Sequence, residues 1–151
     1  MTNSRRTAAG AALTRLILEV FRLNGRLLAA GDRLVSPLGL TSARWQVMGA
    51  IALAPAPETV ARLARAMGLN RQGVQRIVNE LAVEGLVEFR ANPHHARARL
   101  VALTPKGRAA YDAADRRQAP WVDALAQVFG PGEIARATAL LERVRTRLQR
   151  V

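Results

Sequence analysis

The sequence of 151 residues contains no cysteine. That excludes a disulfide framework, a thiolate nucleophile, a zinc-ribbon site and peroxide sensing through a thiol. Lysine is nearly missing: Lys106 stands alone beside 22 arginines, and with only 11 acidic residues the formal net charge is +12. Long apolar runs are missing as well. The longest, Val47 to Pro57, falls well short of the ~20 residues a membrane-spanning helix requires and contains two prolines. Arg5-Arg6 resembles the start of an export signal, but the stretch from Thr7 to Thr14 is mostly Ala and Gly rather than a Leu-rich core. It reads as a frayed, basic N-terminus. These observations predict a cytoplasmic protein without membrane association.

Half of the residues are apolar, which separates the chain from disordered polycations and supplies a core for a single domain over residues 1–151. The abundance of arginine suits bidentate contacts with guanine edges and phosphates, and equally suits a genome biased towards Arg and Ala codons. The excess positive charge is unevenly spread: +4 over residues 1–58, +6 over 59–108 and +2 over 109–151. A basic centre of this kind meets nucleic acid as its most abundant polyanionic partner.

From Leu13, apolar residues recur at Leu16, Ile17, Val20, Phe21, Leu27 and Leu28, which predicts a long helix from about Thr7 to Leu34, ended by Pro37 and Gly39. Thr41 caps a second helix through Trp45, Val47, Met48 and Ile51. Thr59 caps a third, Gly68 fits a left-handed position at its end, and Asn70 caps a fourth. A helix, a tight glycine turn and another helix is the helix-turn-helix layout. At about 100° per residue, Arg71, Gln72, Gln75, Arg76 and Asn79 share one face of the fourth helix, and Val74, Ile77, Val78 and Leu81 share the opposite one. Val83 breaks the pattern. Leu86–Arg90 and Arg99–Leu103 then read as two strands of a hairpin whose loop, Ala91–Ala98, carries basic side chains outward. Thr104-Pro105 opens a helix running towards Phe129, with Pro120 expected to kink or split it. A last helix follows Gly130-Pro131-Gly132.

This pattern resembles the MarR family of winged helix-turn-helix transcription factors. The resemblance rests on Leu40-Thr41 before a helix with Trp45, Thr59 to Ala64 with Gly68-Leu69, Asn70 to Leu81 with Gly85-Leu86-Val87, Asn92-Pro93, and Leu103-Thr104-Pro105-Lys106-Gly107. It implies a mostly α fold with a small β-hairpin wing, residues 41–108 forming the DNA-binding lobe and residues 7–36 and 109–151 forming dimerisation helices. It also implies a homodimeric, sequence-specific regulator, most often a repressor, on a pseudo-palindromic operator of double-stranded DNA. Base readout would come from Arg71, Gln72, Gln75, Arg76 and Asn79, with Asn70 at the helix start. The wing would add His94, His95, Arg97 and Arg99, with Arg97 in the position of the family's minor-groove arginine. Many members hold that arginine with an acidic residue two positions earlier, where this chain has His95. Arg62 and Arg65 would contact the DNA backbone. A small-molecule effector would bind a cleft near Arg44 and Trp45.

Blander readings stand beside these. Arg71 and Arg76 also fit a solvated face, Arg76 also fits a helical ion pair with Glu80, and a basic protein that coats nucleic acid without sequence preference would share the charge. Trp45 reads as core packing as readily as a pocket wall. His94 and His95 are the only histidines, and no carboxylate lies in their loop, so no metal site or cofactor is expected. No nucleophile–base pair or Gly-rich phosphate loop points to an enzyme.

Overall fold

The computed structural model describes residues 5–150. The expectation of a frayed N-terminus falls partly on residues 1–4, outside that range. The elements in chain order are α1 (Ala8–Val35), one 3-10 turn (Ser36–Leu38), α2 (Ser42–Leu53), β1 (Glu58–Thr59), α3 (Val60–Met67), α4 (Arg71–Val83), β2 (Val87–Arg90), β3 (Leu100–Leu103), α5 (Pro105–Ala126) and α6 (Pro131–Leu148). The chain divides into two compact units between Asp115 and Arg116.

The first unit holds the core. Val35, Val47, Met48, Val74, Val78, Leu81 and Val101 are all but inaccessible to solvent. Burial of each such side chain stabilises the fold by roughly 1.5–3 kcal/mol, so the valine and leucine stripe of α4 is a principal anchor of that helix. Thr7, Thr41, Thr59 and Asn70 cap α1 to α4 with their own side-chain oxygens. Gly68 and Gly85 take positive φ angles of 67° and 73° just beyond α3 and α4. There the following residue donates back to the helix: Leu69 N to Ala64 O and Leu86 N to Leu81 O, both at 2.9 Å.

The hairpin is part of a three-stranded antiparallel sheet in the order β1-β3-β2. The short strand β1, absent from the sequence reading, pairs Glu58 with Val101 and Thr59 with Leu100. Two residues are too few to show any periodicity, and the partner lies far along the chain. In register, Val87 faces Leu103 and Phe89 faces Val101, which puts these four apolar side chains on one face of the hairpin.

The beginning of α5 is fastened to the turn after α4. Thr104 Oγ1 donates to Gly85 O at 2.6 Å and accepts from Gly107 N at 3.0 Å, and Lys106 Nζ donates to Glu84 O at 2.8 Å. Gly107 lies so close to the Leu86 carbonyl that a β-carbon there would overlap it. The expectation that Pro120 splits this helix is corrected: α5 runs unbroken from Pro105 to Ala126 with Pro120 inside it. Proline removes one N–H from the ladder, and at an exposed position water can satisfy the carbonyl so freed.

In the second unit, α6 buries none of its residues, and Ile134, Leu140, Leu141 and Leu148 are exposed along it. Of the 28 residues of α1, in the first unit, only Gly31 and Val35 are buried.

Candidate nucleic-acid interface

The outward face of α4 is created by the helix start as much as by the helix. Asn70 holds an extended backbone (φ −69°, ψ 133°) and its Oδ1 accepts from Gln72 N at 2.8 Å and Gly73 N at 3.3 Å. This cap satisfies two amides the helix cannot satisfy itself and fixes its first turn. With Val74, Val78 and Leu81 buried, Arg71, Gln72, Arg76 and Asn79 are exposed and Gln75 is half-buried. These five line one open concave surface together with Glu80 and Val83.

The polar side chains on that surface are unequally committed. Arg71 and Gln72 have no side-chain partner among the described residues, whereas Gln75 Nε2 donates to Asn79 Oδ1 at 2.9 Å and Arg76 Nη1 donates to Glu80 Oε1 at 3.3 Å. The Arg76–Glu80 helical pair therefore exists, on a side chain that is otherwise 70% exposed.

The wing loop is organised by Asn92. Its Nδ2 donates to Ala98 O at 2.9 Å and its Oδ1 accepts from His94 N at 3.0 Å, closing the loop on itself. His94, His95 and Arg97 are exposed, and Arg97 has no side-chain partner among the described residues. Arg99 behaves differently: its guanidinium lies 4.0 Å over the Phe89 ring, a cation–π contact that holds it along the strand. On α3, Arg62 is paired with Glu58 at 3.3 Å, and Arg65 is exposed.

Arg44 is half-buried and bridges two carboxylates, that of Glu80 on α4 and that of Glu84 just beyond its end, with Nη1 at 2.7 Å from Glu84 Oε1 and Nη2 at 3.3 Å from Glu80 Oε2. The hydrogen bond to Glu84 raises its pKa above the ordinary arginine value, with the Glu80 contacts adding to it against the lowering effect of partial burial. Its neighbour Trp45 is half-buried and packs against the core. Among the described residues, no group of three or more His, Cys, Asp or Glu could hold a metal ion. Among the described residues, no helix is long and apolar enough to cross a membrane.

Residues 38–98 match the model of the MarR family, and the fold is similar to that of wild-type MarR from E. coli, 29% identical, with a TM-score of 0.68 over 87% of this chain and 96% of that one. The chain belongs to the MarR family of winged helix-turn-helix transcriptional regulators. A single-site mutant of MarR from E. coli, crystallised with operator DNA, is 28% identical, with a TM-score of 0.70 over 87% of this chain and 97% of that one. An uncharacterized protein of Mycobacterium tuberculosis, Rv2011c, is 36% identical over 132 residues, 87% of this chain and 91% of that protein. The transcriptional activatory protein BadR of Rhodopseudomonas palustris is 29% identical over 96 residues, 62% of this chain and 55% of that one.

In this MarR-family chain, several structural determinants escaped the sequence reading. Asp32 Oδ1 accepts from Ser42 N at 2.7 Å and Ser42 Oγ donates to Leu28 O at 2.7 Å, tying the start of α2 to the end of α1. Their separation along the chain leaves no local signature. The role of Asn92 was open to recognition, since Asn-Pro is a turn signal with a side chain able to bond its own loop.

Proposed function

We propose that this MarR-family regulator acts as a homodimer that reads a pseudo-palindromic operator, with residues 41–108 as the DNA-binding lobe and residues 7–36 and 109–151 as dimerisation helices. The observation that carries the reading is the division of α4: Val74, Val78 and Leu81 are buried while Arg71, Gln72, Arg76 and Asn79 project together into solvent. Arginine bonds guanine O6 and N7 bidentately, and Gln or Asn does the same for adenine, each good pair giving ~1–3 kcal/mol of discrimination. Asn70 fixes the start of that helix. Arg97, with His94 and His95 beside it, suits the negative potential of a narrow minor groove. Arg62, Arg65 and Arg99 supply phosphate contacts that set register. Arg62 and Arg99 exchange Glu58 and Phe89 for phosphate on binding, or share them.

Two-fold symmetry of a homodimer places equivalent half-sites about one helical turn apart. Occupying such an operator blocks polymerase when it overlaps a promoter, which is the repressor function we assign, in the cytoplasm where that DNA lies. An effector acting at Arg44 and Trp45 would have to displace Glu80 and Glu84 from Arg44. The deciding experiment is selection of bound sequences from a random duplex pool. A palindromic consensus with half-site centres about 10 base pairs apart is expected. Recovery of sequences no different from the starting pool would replace this reading with that of a nucleic-acid coat.

A further inference from the structure

Two guanidinium groups divide one carboxylate. Glu80 gives Oε2 to Arg44 Nη2 and Oε1 to Arg76 Nη1, both at 3.3 Å, while Arg44 also holds Glu84 Oε1 at 2.7 Å. Their exposures differ: the Arg44 side chain is 21% accessible and that of Arg76 is 70% accessible. Arg44 is therefore the less screened and less mobile partner. Its backbone is fixed too, since Arg44 N donates to the capping Thr41 Oγ1 at 3.2 Å and α2 is tied to α1 through Ser42.

We infer that Arg44 is a positioning residue for DNA recognition, acting through Glu80 to set how strongly Arg76 is held back from the duplex. Neutralisation by Arg44 lets Glu80 orient Arg76 without binding it fully. Without Arg44, Glu80 and Glu84 stand as like charges one helical turn apart. The cation within reach of Glu80 is then Arg76, which is drawn onto the helix surface. The unbalanced carboxylates also repel the approaching phosphates. Arg44 touches no nucleotide in this scheme. Lysine replaces it only in part, because an ammonium is a point charge where the guanidinium fork engages two carboxylates at once.

This inference rests on the proposed reading of the α4 face, and the test separates the two. Affinity for the selected operator, and for a panel carrying one changed base pair per half-site, would be measured by fluorescence anisotropy for the intact dimer and for R44Q, R44K, E80Q, R44Q/E80Q and R76A. R44Q is expected to weaken operator binding about fivefold, within the coupling range of residues sharing one ionic network, with R44K intermediate. Discrimination should fall at the base pair where R76A also loses it. The double variant R44Q/E80Q should return to within about twofold of wild type, because the carboxylate that restrained Arg76 is gone. A purely structural role for Arg44 would not be rescued by altering Glu80. An R44Q loss that E80Q fails to rescue, or one spread evenly over the panel, overturns the relay alone. An R76A variant that keeps full affinity and discrimination overturns the relay and the base-reading assignment together.

Discussion

Single atoms decide how the recognition lobe is closed. At Gly107, a β-carbon would overlap the Leu86 carbonyl, which is backbone and cannot rotate away. Gly107→Ala must therefore separate α5 from the turn after α4, stretching the Thr104–Gly85 and Lys106–Glu84 bonds. The expected cost is about 2–4 kcal/mol, in the range of core overpacking combined with lost hydrogen bonds, and urea unfolding monitored by circular dichroism measures it. An unchanged midpoint would mean that the helix start is free to shift. The tetrad from Thr104 to Gly107 is thus a compact clasp: one residue caps, one starts the helix, one reaches a carbonyl and one permits contact.

Helices were legible where their ends are decided locally. Thr41, Thr59, Asn70 and Gly68 act within a few residues of themselves, and each occupies the role its chemistry predicts. The inward and outward faces of α4 were legible for the same reason, since the period is a property of one helix. Contacts between elements were not. Arg44 meets Glu80 and Glu84 across 36 and 40 positions, and nothing in the residue types near Arg44 names those partners. The unbroken course of α5 through Pro120 was hidden too, because proline's effect depends on whether its neighbourhood is solvated. For α4 itself, Asn70→Ala removes the acceptor for two amides and should cost about 1 kcal/mol of stability. It should also weaken operator affinity beyond that loss, because fraying starts at Arg71 and Gln72. Titration of the variant well below its melting temperature would reveal this, and equal affinity there would confine Asn70 to stability.

At the scale of the whole molecule, the apolar surface left over is the strongest demand. Phe21 is 70% exposed and Leu148 69% exposed in the isolated chain. Leu13, Ile17, Leu18, Leu23 and Leu27 join Phe21 along α1. A helix gains most of its stability from packing an amphipathic face, and the part of α1 before Gly31 buries no side chain within this chain. The homodimer proposed above would answer that demand and double the number of phosphate contacts. Phe21→Asp leaves the chain's own core untouched while placing a charge in the proposed dimer contact. Sedimentation should show it shifting from dimer towards monomer at micromolar concentration. Because log Kobs falls with log salt by about 0.9 per phosphate neutralised, the residual binding of a monomer should show roughly half the wild-type salt slope. A variant that stays dimeric with the full slope would move the interface off α1.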